Sequence, residues 1–392
     1  MPTRLALLLL AACVDTKVAP VGDSAPTDTG HTATDTGDSA ADSGDSAVDT
    51  APPVDTAPPV DTAPPEDTAP VDTAVDTGEA PPLTAAACFA DLWDGGTPTV
   101  DYDAYGPVMG SHCKGTDHQT ITGVERVVFI GDSITVGSPP TDASDWYRNV
   151  LADELADRFG LEAPGWDWQN VDLFNGVVYT QESGDFASCA KWGARTDDLL
   201  LEPHMQLEDC IPEDQREKVT LVVLTIGGND IYSLLEDVNA GVDEATLRAT
   251  FTEATDLLRD AVDWIVEPGR FPNGVYLVFA NTYDFTDSVA AKEVSECPGA
   301  QLIGLDAPLQ NPITWSILAD AQETYLRMAV ETGTDMVFLG EGFCGHGYNA
   351  EDTTSRCNRG ADNALWLDVT CEHPNDAGHA GIADMFLSVI DE

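Results

Sequence analysis

Short apolar runs alternate with amphipathic stretches from residue 126 to the end of the chain. The run Arg-Val-Val-Phe-Ile at residues 126–130 is typical of a strand that is buried in a parallel sheet. The pattern predicts strands at residues 126–130, 219–226, 274–280 and 336–339, and helices at residues 142–159, 243–266, 314–331 and 375–390. Parallel strands that are separated by helices need crossover connections. We therefore expect a three-layer α/β/α fold with a mainly parallel central sheet.

The start of the chain has the pattern of an export signal. Arg4 precedes an apolar segment that ends at Cys13, so residues 1–12 are predicted to be a signal peptide. The sequence Leu-Ala-Ala-Cys at residues 10–13 is similar to the lipobox of bacterial lipoproteins, in which the cysteine carries a lipid. We expect a protein of the bacterial cell envelope or cell surface that is anchored to a membrane through Cys13. The alternative is a plain signal peptide and a secreted protein.

Residues 13–80 contain almost no large apolar side chains and cannot build a core. They are mainly Asp, Thr, Ala, Pro, Ser and Gly, and the sequence Ala-Pro-Pro-Val-Asp-Thr at residues 51–56 recurs at residues 57–62. High charge and abundant proline are typical of a disordered, extended linker. We expect a stalk at residues 13–80, a cysteine-containing N-terminal extension that packs on the main domain at residues 81–125, and the main domain itself at residues 126–392.

Acidic residues exceed basic residues both before and after residue 80. The sequence has 69 Asp and Glu against 17 Lys and Arg, which gives a formal net charge of −52. Such a surface repels nucleic acid and anionic membrane surfaces, so we expect no nucleic-acid partner. We expect the protein to be a monomer.

Eight cysteines remain once Cys13 is assigned to the lipid anchor, and an even number in an exported protein predicts disulfides. Short loops are the easiest to close. The expected pairs are therefore Cys88 with Cys113, Cys189 with Cys210, Cys357 with Cys371, and then Cys297 with Cys344. Two histidines, His112 and His118, lie close to Cys113, but the cysteine spacing does not match a zinc site. We expect a disulfide there and no metal.

Four polar motifs follow predicted strands or precede predicted helices. Gly-Asp-Ser at residues 131–133 follows the first strand, and Gly-Gly-Asn-Asp at residues 227–230 follows the second. Gly193 precedes a helix-like stretch, and His373 precedes the last helix. Because parallel sheets present functional groups at the carboxyl ends of their strands, the first two motifs should lie at one edge. Each motif alone is also an ordinary turn sequence.

In this order the four motifs resemble the signature blocks of the SGNH, or GDSL, hydrolase superfamily. The resemblance implies a flavodoxin-like α/β fold and the hydrolysis of carboxylic esters without a cofactor or metal. It implies that Ser133 is the nucleophile and that His373 is its general base. The oxyanion donors would be the backbone N–H groups of Ser133 and Gly193 and the side-chain amide of Asn229. No Gly-x-Ser-x-Gly sequence surrounds Ser133, which argues against the α/β-hydrolase fold.

The residue three positions before His373 departs from the family pattern. Members usually have an aspartate three residues before the histidine, and here that residue is Thr370. Asp368 is the favoured third member of the triad, and Glu372 or a backbone carbonyl is the alternative. A third member orients the imidazole and stabilises its charged form. His379 is interpreted as a structural or rim residue.

The sequence therefore predicts an exported serine esterase that forms an acyl-enzyme on Ser133. The alternatives are an acyltransferase to a sugar hydroxyl and a non-catalytic surface binding module on a hydrolase fold. Lipids, acetylated glycans and small esters are all open as substrates, because specificity lies in the loops around the sheet edge. The long segments at residues 161–192 and 341–372 are the expected walls of the site.

Overall fold

The computed structural model describes residues 82–92, 100–285, 312–360 and 363–392. The predicted signal peptide, Cys13, the stalk and Cys297 lie outside the described residues. The described strands are β1 (Arg126–Gly131), β2 (Val171–Asp172), β3 (Val177–Val178), β4 (Glu182–Ser183), β5 (Phe186–Ser188), β6 (Thr220–Thr225), β7 (Val275–Ala280) and β8 (Asp335–Val337). The described α-helices are α1 (Ala85–Cys88), α2 (Ser133–Val136), α3 (Tyr147–Phe159), α4 (Trp166–Gln169), α5 (Gln206–Cys210), α6 (Gly228–Ala240), α7 (Glu244–Val266), α8 (Pro312–Thr332), α9 (Leu339–Phe343) and α10 (Asp376–Asp391).

Six of the described strands form one sheet in the order β4, β5, β1, β6, β7, β8. The five neighbouring strands β5, β1, β6, β7 and β8 are parallel, whereas the edge strand β4 is antiparallel to β5. The register places Gly131, Thr225 and Ala280 side by side at the carboxyl ends of β1, β6 and β7. β2 and β3 form a separate antiparallel pair.

Alternate residues of each central strand enter two different apolar cores, because successive side chains of a strand point to opposite faces. Val127 and Phe129 of β1 share a core with α3 and α10. Val128 and Ile130 share the other core with α7 and α8. The sheet is thus covered by helices on both faces, which confirms the predicted three-layer α/β/α fold with a mainly parallel sheet.

Part of the segment at residues 100–119 pairs with β8. The backbone N–H of Thr116 donates to the carbonyl oxygen of Met336 at 3.0 Å. The buried carboxylate of Asp335 accepts hydrogen bonds from Thr116 Oγ1 at 3.0 Å and from the N–H of His118 at 2.7 Å. The bond from Thr116 pairs a backbone carbonyl of β8 that an edge strand would otherwise leave open.

Two of the expected disulfides are present, Cys88–Cys113 and Cys189–Cys210. The first joins α1 to the segment that pairs with β8, and the second joins the residue after β5 to the end of α5. Within the described ranges, no group of three or more His, Cys, Asp or Glu side chains is arranged to hold a metal ion. No described helix is long and apolar enough to cross a membrane.

The other two expected disulfides are wrong, because Cys344 pairs with Cys357. This pair closes a loop with a sequence separation of 13. A loop between Cys357 and Cys371 would be almost as short, so the entropy of loop closure does not distinguish the two pairings and the fold decides. Cys371 is also disulfide-bonded. Cys297, which was expected to pair with Cys344, lies outside the described residues.

Two element boundaries differ from the predicted ones. The helix predicted at residues 142–159 begins at Tyr147, because Ala143–Asp145 forms a 3₁₀ turn and Trp146 is extended. The Gly-Gly-Asn-Asp motif is not only a turn, since Gly228 is the first residue of α6. Gly227 caps this helix with φ at +101°, a conformation that suits glycine.

Candidate active site

β1 ends in a turn that requires glycine. Gly131 has φ at +145°, and a Cβ atom at this position would collide with the carbonyl oxygen of Thr225 on the neighbouring strand. Asp132 then caps α2, since its carboxylate accepts the N–H of Ile134 at 3.0 Å. Ser133 is the first residue of this helix, so its own backbone N–H has no partner inside the helix.

The imidazole of His373 lies against the side chain of Ser133. Nε2 of His373 is 2.9 Å from Oγ of Ser133. Both residues are largely buried, at 6% and 8% exposure, which limits competition from solvent. A neutral imidazole at this distance can accept the hydroxyl proton, and this transfer is what makes a serine nucleophilic.

Backbone hydrogen bonds fix the loop that carries His373. The N–H of Asp368 donates to the carbonyl oxygen of His373 at 2.9 Å, and the N–H of Asn375 donates to that of Trp366 at 2.8 Å. Asn375 also caps α10, because its side-chain oxygen accepts the N–H of Gly378 at 3.0 Å. The imidazole is therefore held by a paired loop and a helix start.

Gly193 and Asn229 line the same pocket as Ser133. The side-chain amide of Asn229 donates to the carbonyl oxygen of Ala194 at 2.9 Å. An amide nitrogen carries two hydrogens, so one of them remains for a ligand in the pocket. Gly193 has φ at +75°, which favours glycine at this position of the loop.

Further hydrogen bonds attach the Gly193 loop to the neighbouring motifs. The N–H of Lys191 donates to the carbonyl oxygen of Gly131 at 3.0 Å. The carboxylate of Asp230 accepts the N–H of Thr196 at 3.2 Å and the hydroxyl of Thr196 at 3.0 Å. Burial raises the pKa of Asp230 to about 6, so the group is ionised above that pH and accepts both bonds. Hydrogen bonds therefore connect the Gly193 loop to the Gly-Asp-Ser motif and to the Gly-Gly-Asn-Asp motif.

The pocket has a volume of about 110 Å³. It lies where β1, β6 and β7 end, between α6 and α9, as expected for a parallel sheet. Asn229, Asn281 and Glu372 are among its polar lining residues. Its apolar lining includes Ile134, Ile226, Ile231, Tyr283, Phe285 and Leu339.

A family model described as GDSL-like Lipase/Acylhydrolase matches residues 127–386. The chain belongs to this family. It is a carboxylic ester hydrolase, and the SGNH or GDSL resemblance of its motifs is confirmed. No curated protein sequence matches the chain.

This GDSL hydrolase is also similar to solved structures at low sequence identity. An extracellular lipase from Streptomyces rimosus is 18% identical, over 68% of this chain and 100% of that one, with a TM-score of 0.38. An acetylxylan esterase from Geobacillus stearothermophilus is 17% identical, over 70% of this chain and 97% of that one, with a TM-score of 0.38. A lipase from a goat rumen metagenome is 15% identical, over 68% and 97%, with a TM-score of 0.40.

The Nδ1 atom of His373 contacts a threonine hydroxyl and not a carboxylate. Nδ1 of His373 is 3.1 Å from Oγ1 of Thr370, which in turn donates to Oδ1 of Asp368. Glu372, one of the sequence-based alternatives, lines the pocket, and its backbone carbonyl accepts a hydrogen bond from the hydroxyl of Tyr283. The side chain of Asp368 is therefore connected to His373 by the hydroxyl of Thr370.

Burial shifts the pKa of several groups in the site. Burial lowers the pKa of His373, and the negative charge of Asp368 opposes this shift. Burial raises the pKa of Asp368. Burial, together with the negative charges of Asp368 and Glu236, raises the pKa of Glu372 to about 7. Burial is also the main reason that the pKa of Asp132 is raised to about 7. The lowered pKa of His373 favours the neutral imidazole, which is the form that can accept a proton.

His379 is a structural residue and not a rim residue. It is buried in the first turn of α10, where its ring stacks on Tyr147 and its Nδ1 accepts the N–H of Tyr147 at 3.2 Å. The pocket residues Asn281 and Tyr283 were not predicted. Both follow the carboxyl end of β7, so their place at this edge follows from the same rule that locates Ser133 and Asn229.

Proposed function

We propose that the chain hydrolyses small carboxylic esters through an acyl-enzyme on Ser133. The observation that most directly supports this is the 2.9 Å distance between Nε2 of His373 and Oγ of Ser133. Both residues line a pocket that Gly193 and Asn229 also line. A nucleophile, a base and two of the oxyanion donors thus share one cavity, which is the arrangement that acyl transfer to water requires.

In the proposed reaction His373 accepts the hydroxyl proton of Ser133 while Oγ attacks the carbonyl carbon of the ester. The N–H groups of Ser133 and Gly193 and the amide of Asn229 stabilise the charge that forms on the carbonyl oxygen. Collapse of this intermediate breaks the ester C–O bond, and the imidazolium gives its proton to the leaving alcohol. Water then attacks the acyl-enzyme by the same steps and releases the carboxylic acid and free Ser133.

The size and lining of the pocket favour esters with short acyl groups as substrates. Its volume is about 110 Å³, whereas an apolar cavity of roughly 150 Å³ holds a molecule the size of benzene. Asn281 and Glu372 place polar atoms among the apolar lining residues, which a long alkyl chain does not need. We therefore expect acetyl and similar esters to react better than long-chain esters.

The test is hydrolysis of p-nitrophenyl acetate, butyrate and palmitate by wild type and by Ser133→Ala. We expect activity on acetate, little on palmitate, and loss of both hydrolysis and fluorophosphonate labelling in the variant. Ser138→Ala is the matched control, because Ser138 is a nearby buried serine that is not among the residues lining the pocket. Full activity of Ser133→Ala would sink the proposal.

We also propose that the enzyme is exported and held at a membrane by a lipid on Cys13. The disulfides among the described residues support an oxidising compartment. In a bacterial host the wild type should sediment with membranes and incorporate labelled fatty acid, and Cys13→Ala should do neither. Wild type found only in the soluble fraction, without lipid, would favour the secreted alternative.

A further inference from the structure

Thr370 connects the side chains of Asp368 and His373. Its Oγ1 is 3.1 Å from Nδ1 of His373. The same oxygen donates to Oδ1 of Asp368, and the N–H of Thr370 donates to that carboxylate oxygen at 2.7 Å. The carboxyl group of Asp368 therefore receives two hydrogen bonds from Thr370. The hydroxyl of Thr370 lies between this carboxyl group and the imidazole of His373.

The number of hydrogens on the hydroxyl decides the direction of these bonds. A hydroxyl has one hydrogen, and an ionised carboxylate can only accept. The hydrogen of Thr370 therefore goes to Asp368, and the hydroxyl oxygen accepts from Nδ1–H of His373. A neutral imidazole that carries its hydrogen on Nδ1 has its lone pair on Nε2, the atom that lies 2.9 Å from Oγ of Ser133. This is the tautomer that can remove the serine proton.

We infer that Thr370 is a positioning residue that transmits the charge of Asp368 to His373 and holds the imidazole in the Nδ1–H tautomer. The inference rests on the proposed roles of Ser133 and His373. No proton moves to Asp368 during the reaction. When His373 becomes an imidazolium, the hydroxyl oxygen continues to accept from Nδ1–H, and the negative charge one hydroxyl away stabilises the positive ring.

The surroundings of Asp368 support this role. The carboxylate is 4% exposed, and in the part of the chain that the structure describes Oδ2 is a buried oxygen without a hydrogen-bond partner. A buried carboxylate with few other partners interacts more strongly with a nearby charge than a solvated one does. The Thr370 hydroxyl therefore lies between a buried carboxylate and the imidazole of His373.

The loop between Asp368 and His373 holds the threonine hydroxyl in position. The hydroxyl of Tyr348 donates to the carbonyl oxygen of Asp368 at 2.7 Å, and the N–H of Cys371 donates to the same oxygen at 3.1 Å. Cys371 is disulfide-bonded and has φ at +72°, an uncommon conformation for a residue with a side chain. The turn at this residue brings Thr370 back toward the imidazole.

The test compares Thr370→Val with Thr370→Ser. Valine keeps the shape and removes the hydroxyl, whereas serine keeps the hydroxyl. We expect kcat on p-nitrophenyl acetate to fall about 10²-fold in the valine variant, with KM little changed, because a wrongly oriented histidine costs up to about 10⁴-fold in a serine protease. The serine variant should recover most of kcat.

Thr354→Val is the matched control. Thr354 donates to Oδ1 of Asp352 through its N–H at 2.8 Å and through its hydroxyl at 2.6 Å, which is the same pair of bonds that Thr370 makes. Thr354 is exposed and is not among the residues lining the pocket. We expect Thr354→Val to keep wild-type kcat. A loss of kcat in Thr370→Val then reports the lost contact with His373, and not the lost hydrogen bonds between a threonine and the aspartate two residues before it.

Asp368→Asn tests the charge. We expect a fall in kcat like that of Thr370→Val, and no further fall in the double variant, because residues that act as a unit are not additive. The acidic limb of the pH profile should also move to lower pH, since removal of a negative charge makes the imidazolium easier to deprotonate. Glu372 and Asp132, the carboxyl groups that line the pocket, are unchanged in this variant.

Three outcomes overturn the inference. The first is a wild-type kcat in Thr370→Val, and the second is a loss that Thr370→Ser does not recover. The third is a wild-type pH profile in Asp368→Asn. Thermal unfolding of every variant shows whether it is folded. A fully active Ser133→Ala enzyme would instead defeat the proposed function itself, whatever the Thr370 variants do.

Discussion

The side-chain amide of Asn229 donates to the carbonyl oxygen of Ala194 at 2.9 Å. This bond joins the start of α6 to the residue that follows Gly193, so it restrains the side chain of Asn229 and the loop that carries Gly193. Donors that are held in place before a substrate binds need no rearrangement during the reaction.

Asn229→Ala should lower kcat on p-nitrophenyl acetate by about 10²- to 10³-fold, as the loss of one oxyanion donor does in other hydrolases. KM should change little, because the donor acts mainly on the charge of the transition state. Steady-state kinetics checks both values. Asn358→Ala is the control, since this amide also donates to an alanine carbonyl, that of Ala350, outside the pocket. A kcat close to that of wild type in Asn229→Ala would argue against the assigned donor.

The central strands could be predicted to within one or two residues from their apolar runs. β1, β6 and β7 are buried on both faces, and such strands are continuous runs of Val, Ile, Leu and Phe. β4 and β5 have two and three residues, and strands this short carry no period to detect. Their position depends on pairing with β1, which is a tertiary contact.

The meeting of Ser133 and His373 could be anticipated from the order of the motifs, and the sequence favours Asp368 as the partner of His373. The Thr370 hydroxyl that lies between Asp368 and His373 could not be anticipated. Asp368 and Thr370 are only two residues apart, so their chain positions do not say which of them faces the imidazole. The answer depends on the turn at Cys371, whose φ of +72° a sequence pattern does not predict for a cysteine.

Gly131→Ala should prevent folding or lower the free energy of unfolding by more than about 3 kcal/mol. The added methyl group would meet the carbonyl oxygen of Thr225, and φ at +145° is unfavourable for alanine. Urea denaturation measures the change.

Gly123→Ala is the matched control for this glycine. Gly123 has φ at +65°, and no atom lies within 4 Å of the position that a methyl group would occupy, so only the backbone conformation opposes alanine there. We expect a loss of roughly 1–2 kcal/mol. Equal losses in Gly131→Ala and Gly123→Ala would show that the close approach of β1 and β6 is unimportant.

Ile231→Ala should enlarge the pocket and shift the preference toward longer acyl groups. Ile231 lines the pocket from α6. We expect the ratio of kcat/KM for p-nitrophenyl butyrate to that for acetate to rise severalfold, with a loss of stability of about 2–5 kcal/mol from the new cavity. Leu235→Ala, one turn further along α6, is the control, because Leu235 belongs to the same apolar cluster but is not among the pocket residues. The same ratio in both variants would contradict a role of Ile231 in selectivity.

Glu372 should make the stability of the enzyme depend on pH. Its pKa is raised to about 7 in the folded chain, mainly by burial and then by the negative charges of Asp368 and Glu236. In an unfolded chain a glutamate has a pKa of about 4.3. Between these two values the folded state binds more protons than the unfolded state, so the contribution of Glu372 to stability falls as the pH rises from about 4.3 through 7.

Glu372→Gln removes this ionisation and keeps the shape of the side chain. At pH 8 the variant should be more stable than wild type, because the wild-type carboxylate is then charged in a site that disfavours charge. At pH 5 the wild-type group is protonated in the folded state, and the advantage of the variant should shrink or vanish. Urea denaturation at the two pH values measures the difference. An equal change in the free energy of unfolding at pH 5 and pH 8 would contradict the raised pKa of Glu372.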